Sequence, residues 1–181
     1  MQKRTHTLLA QTLLRSETGF PARRFELAFL FGSFQPDVNP LSYLKGSLRY
    51  NKLKGHNYVN SRAYINAKIL KLQRRRRWTM WQYYTLGKLT HYLADAYTYP
   101  HNPDYPDSML DHHNYETDFR RFMRGYLAHQ HLRRQQARRD LIAALEELHE
   151  QYMATRASMV RDASYILKAT SLLMAGCLPA A

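Results

Sequence analysis

The stretch from Leu86 to Glu116 limits what this chain can fold into more than any other. It reads L-G-K-L-T-H-Y-L-A-D-A-Y-T-Y-P-H, then an Asn/Pro/Asp-rich turn, then D-H-H-N-Y-E. Leu86, Leu89, Tyr92 and Leu93 recur at the helical period, so His91 and Asp95, four residues apart, leave the same helix face. His101 follows Pro100, and His112 and Glu116 repeat the four-residue spacing in the next helical segment, which puts five imidazole and carboxylate groups within 26 residues. On a helix the Cβ atoms of such a pair lie only about 5–6 Å apart, close enough for both side chains to reach one cation. A single H-x-x-x-D is ordinary on a solvated helix surface. Two such pairs with a histidine between them supply ligands for more than one zinc ion.

The rest of the chain agrees with a helical frame. Long stretches carry the 3.6-residue period and few segments alternate, so the expectation is an all-α fold, a single-domain multi-helix bundle over residues 1–181 with the metal-type residues at one end. With 45% apolar residues and 14 tyrosines the composition is that of a packed chain rather than a disordered one. Cys177 is the lone cysteine, which excludes an intrachain disulfide and a cysteine-based zinc site. The early apolar run is cut by Arg15 and is too short for a secretory signal. The run from Tyr165 to Leu178 falls short of the roughly 20 residues of a membrane span. The expected location is cytoplasmic, with peripheral membrane contact allowed.

Taken in order, Thr5 to about Glu17 has a helical face with Thr5 as its N-cap and His6 in the first turn. A short apolar segment, Phe25 to Phe31, leads into F-G-S-F-Q-P-D-V-N-P, read as an irregular loop tied to the core by Phe31, Phe34 and Val38 and carrying Asp37. His56 opens the next helix. Arg74 to Arg77 precede Trp78, Trp81, Tyr83 and Tyr84, a combination that suits a phosphate backbone with stacked bases, a membrane interface, or a solvated corner. The segment begun near Ser108 runs through Leu127. A helix capped by Asp140 and a last one from about Ala157 to Cys177 follow, and His129, His131 and His149 are read as surface residues. Tyr83, Tyr84, Tyr97 and Tyr99 flank the central motif as core or cleft residues.

The set His6, Asp37, His56, His91, Asp95, His101, His112 and Glu116 resembles, in order and local pattern, the ligands of the zinc-dependent phospholipase C family, whose helical fold is shared with zinc-dependent single-strand nucleases. The likeness lies in G-S-F-Q-P-D, the G-H before a helix, L-G-K-L-T-H-Y-L-A-D with a later P-H, and H-x-x-x-E, across residues 6 to 116. It implies two to three zinc ions: one among Asp37, His56, His91 and Asp95, a second on His101, His112 and Glu116, and a third held by His6 and bridged through Asp95. It also implies a phospholipid or related phosphodiester substrate, with Asp37 as a candidate general base. In secreted members the third ion is completed by the amino group and carbonyl of an N-terminal tryptophan. No tryptophan stands near the start here, which leaves three alternatives for that site: weak, differently completed or empty.

The formal charge of +13, from 27 Lys and Arg against 14 Asp and Glu, favours anionic partners. Carboxylates committed to metal would leave the surface more positive still. Three readings follow. One is a zinc-dependent phosphodiesterase of phospholipase C type, with peripheral contact to anionic membrane. A second is a zinc nuclease acting on single-stranded nucleic acid, and a third is a non-catalytic module that keeps metals for structure and binds anionic membrane or nucleic acid.

Overall fold

Helix boundaries are written locally by capping chemistry. Thr79 and Gln82 form a capping box, with Thr79 accepting from the Trp81 amide and Gln82 Oε1 from the Thr79 amide at 2.9 Å. Ser108 and Asp111 form another, and Asp140 and Ser158 cap through the amides of Ala143 and Arg161. The computed structural model describes residues 1–38, 58–102, 105, 108–130, 132 and 135–179, with the side chains of residues 58–60 and 109 left aside. Within them lie α1 (Lys3–Ser16), α2 (Arg23–Val38), α3 (Tyr58–Gln73), α4 (Met80–Ala96), a 3-10 turn (Tyr99–His101), α5 (Met109–Ala128), α6 (Leu141–Ala154) and α7 (Met159–Cys177). No strand occurs among the described residues. The all-α expectation is met.

The axis of the fold is α4. It packs against α1, α2, α3 and α7, and Leu86, Leu89, Leu93, Ala94 and Ala96 along it are buried. Its closest neighbour is α2, which runs in the same direction: Phe25 lies against Tyr83 near one end, and Ser33 and Asp37 against His91 near the other. Two glycines allow this approach. A Cβ on Gly32 would stand 2.1 Å from the Tyr84 carbonyl oxygen, and one on Gly87 would stand 2.1 Å from that of Phe29. The backbones therefore touch where the two glycines cross.

Two boundaries differ from the sequence reading. The helix α1 opens at Lys3 with Gln2 before it, and Thr5 is a buried residue inside the helix rather than its cap. Asp37 stands not in a loop but in the last turn of α2, which continues through Pro36. Proline lacks an amide hydrogen and disfavours a helix interior, yet Phe29, Gly32, Ser33 and Pro36 form one buried face against α4. That packing outweighs the local preference. As a result Phe31 and Val38 point outward, about half exposed, rather than into the core. His149, read as a surface residue, is buried against Tyr97 and Tyr152, whereas His129 is exposed and its Nδ1–H donates to the Gly125 carbonyl. The positions of His56 and His131 lie outside the described residues. No described helix is long and apolar enough to cross a membrane.

Candidate metal centre

His91 enters the site because the Gly32–Gly87 crossing brings the Ser33 carbonyl to within 3.0 Å of its Nδ1. A carbonyl oxygen only accepts, so Nδ1 carries the proton, and in the neutral ring the lone pair is on Nε2. That nitrogen faces Asp95 Oδ2 at 3.3 Å and Asp37 Oδ1 at 3.6 Å. A lone pair directed at two carboxylates is stable only with a positive charge between them. His6 stacks on the same ring, with centroids 3.8 Å apart, and its Nε2 lies 3.2 Å from Asp95 Oδ1 and 3.9 Å from Asp37 Oδ2. Neither ring nitrogen of His6 nor Asp37 Oδ2 has a hydrogen-bond partner, although all are buried. Orphaned buried acceptors of this kind are rare in a finished core and common where a cation belongs.

A second group adjoins the first. Glu116 Oε1 lies 3.2 Å from His112 Nε2 and 3.4 Å from His101 Nε2, and the His101 nitrogen is 3.9 Å from Asp95 Oδ1. Seven of the eight residues singled out in the sequence thus converge at one end of the bundle. His6, His91 and Asp95 form one group able to hold an ion, and His101, His112 and Glu116 form another. Their imidazole and carboxylate donors suit zinc. His6 and His91 both face Asp95, one on each carboxylate oxygen.

The sequence reading missed two contributors. One is the α-amino group of Met1, buried at the junction of the groups, 2.7 Å from Asp95 Oδ1 and 3.0 Å from both Glu116 Oε1 and His101 Nε2. This ammonium stands where lone pairs from both groups converge, as a cation would.

The other is Asp162 on α7, fully buried. Its Oδ2 accepts from the Tyr99 amide and the Tyr115 hydroxyl, each at 2.7 Å, and its Oδ1 accepts from Tyr152 and Arg161. It thereby ties the turn that carries His101 to the helix that carries His112 and Glu116. Nothing in the local pattern around Asp162 signals this, since the three tyrosine partners lie 10 to 63 residues away.

Burial and charge divide the site. Burial holds His6 down to about 3, with His91 adding to the effect, so the ring is neutral. Burial also lowers His101, helped by the Met1 ammonium and opposed by Asp95. Burial pushes Asp37 up to about 6 against the pull of His91. For Asp95 burial works the other way from the net result: the Met1 ammonium and the histidines overcome it and hold the carboxyl well below its ordinary range. Glu116 is likewise lowered, because the His101 and His112 hydrogen bonds outweigh its burial. The ammonium rises to about 10 as Asp95 and Glu116 overcome its burial. Neutral imidazoles and ionised carboxylates are the forms that bind a metal.

The four flanking tyrosines divide as well. Tyr83 and Tyr97 are buried and donate to the carbonyls of Gly19 and Leu145. Tyr84 is half-buried and donates to Gln35 Oε1. Tyr99 joins Tyr105, Tyr115, Asp111, Asp118 and Met159 around an open cleft of about 460 Å³. The Tyr105 ring is 6.1 Å from that of His112, which sets the cleft beside the second group.

A family model described as zinc dependent phospholipase C matches residues 5–163. No curated protein and no solved structure matches the chain.

Proposed function

We propose that this chain, which belongs to the zinc-dependent phospholipase C family, hydrolyses the phosphodiester of a phospholipid on the diacylglycerol side of its phosphate. The family is zinc-dependent and indicates a hydrolase of this type. The observation that carries the reading is the pair of adjoining His/carboxylate groups, with buried acceptors on His6 and Asp37 that lack hydrogen bonds.

In this reading His6, His91 and Asp95, with Asp37 at the edge, hold one part of the metal cluster, and His101, His112 and Glu116 hold the other. His56 completes the ligand set by resemblance. Zinc bound there would lower the pKa of a water and neutralise phosphate charge during in-line displacement. The protein's own part is orientation and proton transfer. Ser33 fixes the His91 tautomer, and Asp162 fixes the turn that bears His101. Asp37, on the rim at 17% side-chain exposure, would take a proton from an attacking water. The tyrosine-lined cleft beside His112 offers room for part of the substrate.

The test is a panel on zinc-loaded protein: phosphatidylcholine in mixed micelles, a water-soluble phosphocholine ester and single-stranded DNA. The expected outcome is diacylglycerol and phosphocholine from the lipid, abolished in Asp37→Asn. Cleavage of DNA alone, or no turnover of any phosphodiester by protein with its zinc in place, would overturn the reading.

A further inference from the structure

The arginine run and the outward residues of α2 play no part in the chemistry above. Leu27, Phe31, Phe34 and Val38 follow the helix period at intervals of four, three and four, so they form one stripe about 16 Å long. Leu27, Phe31 and Val38 are about half exposed. At the start of α4, Met80 is equally open and Trp81 is 69% exposed, the most exposed large apolar side chain described.

An aromatic ladder joins the two helices. Trp81 stacks on Tyr84 with centroids 5.0 Å apart, Phe31 stacks on Tyr84 at 5.9 Å, and Phe34 meets Phe31 edge-on at 5.6 Å. The stripe ends at Val38, beside Asp37 on the rim of the candidate metal centre. Arginines adjoin its other end in the chain: Arg74 to Arg77 just before Trp78, whose ring meets that of Tyr83 at 5.0 Å, and Arg23 and Arg24 at the start of α2, all exposed. Glu26 is the nearby acid on α2, and Arg23 already pairs with it at 2.6 Å.

We propose that this face is a docking surface for an anionic lipid bilayer, with Trp81, Met80 and the outer stripe of α2 entering the headgroup zone and the arginines meeting lipid phosphates. The charge decides the occupant. An apolar strip alone would suit a protein partner as well, but tryptophan, tyrosine and methionine bordered by arginines and little acid match the polarity of a bilayer interface. Docking in this orientation would bring the rim at Asp37 to the lipid surface. The purpose of the surface rests on the phospholipid reading, but its test measures binding, so each can fail without the other.

The experiment uses the full chain and vesicles of phosphatidylcholine with or without phosphatidylglycerol. In a Trp78→Phe background Trp81 is the sole tryptophan. Its emission is expected to shift to the blue with anionic vesicles and to be quenched by lipids brominated along the acyl chain. Flotation should show binding that weakens with salt. At about fivefold per surface arginine, replacing Arg74, Arg75, Arg76 and Arg77 by glutamine should weaken binding by about six-hundredfold. Met80→Ser/Trp81→Ser should remove it. Far-UV circular dichroism and zinc content, unchanged in both variants, control for folding. Wild-type binding by either variant, an unshifted Trp81, or equal affinity for neutral vesicles would overturn the proposal. So would a dimer formed through this face that binds no vesicle.

Discussion

Replacing Gly87 by alanine tests the link between helix packing and the site. The added methyl would meet the Phe29 carbonyl oxygen at 2.1 Å, the Ser33 amide nitrogen at 2.8 Å and the Gly32 carbonyl carbon at 3.0 Å. All three are backbone atoms and cannot rotate away, so α2 and α4 must part by about 1 Å to restore ordinary contact. Overpacking of this kind costs up to about 3 kcal/mol. The gain in helix propensity returns about 1 kcal/mol, leaving a net loss of about 2 kcal/mol. In a chain of this length that lowers Tm by about 4–8 °C.

The same parting draws the Ser33 carbonyl from His91, so zinc binding should weaken by about tenfold. Gly125→Ala is the control: nothing lies within 4 Å of its added methyl, and it should gain about 0.5–1 kcal/mol. Thermal and urea denaturation of zinc-loaded and zinc-free protein, with zinc titration, measure both effects. If Gly87→Ala matches Gly125→Ala in stability and binds zinc as the wild type does, the crossing does not position the site.

Further expectations follow from other parts of the fold. Asp162→Asn leaves the buried Arg161 without its carboxylate, so urea denaturation should show a loss of about 3–5 kcal/mol. Zinc should be lost first from His101, His112 and Glu116, and equal loss from both groups would contradict the positioning role. Burial pushes the Cys177 thiol up to about 12, so an aromatic disulfide reagent at pH 8 should react at least about a hundredfold faster with urea-unfolded chain than with native protein. Burial lowers His149 to about 4. The unfolded chain therefore takes up a proton near 6.5 that the folded chain refuses until about 4, and stability falls as pH drops through that window. In zinc-free protein His149→Gln should flatten this limb relative to wild type, and equal slopes would contradict the assignment.

His91, Asp95, His112 and Glu116 were legible because their spacing is local: H-x-x-x-D and H-x-x-x-E state a shared helix face directly, and the caps at Ser108 and Asp140 mark where helices begin, whereas His6 and Asp37 joined the set only through the family resemblance. The course of α2 was obscured by Pro36 and Gly32, which locally suggest a loop. The competing signal, apolar or small residues at 29, 32, 33 and 36, gains meaning only once Gly87 supplies the matching surface. The exposure of Phe31 and Val38 follows from that same packing. His149, Asp162 and the Met1 amine were hidden for a common reason, since their environments are set by residues distant in sequence. Burial of His149 depends on Tyr97, about fifty positions earlier, and no pattern within α6 reports it.

Elemental analysis decides whether the two His/carboxylate groups each hold zinc. Zinc per chain should be measured on protein purified without chelator, beside His91→Ala and His112→Ala variants whose fold is checked by circular dichroism. At least two zinc ions are expected in the native chain, about one fewer in each variant, and a further loss when both substitutions are combined. A native chain with no zinc after supplementation, or variants that retain the full complement, would contradict that.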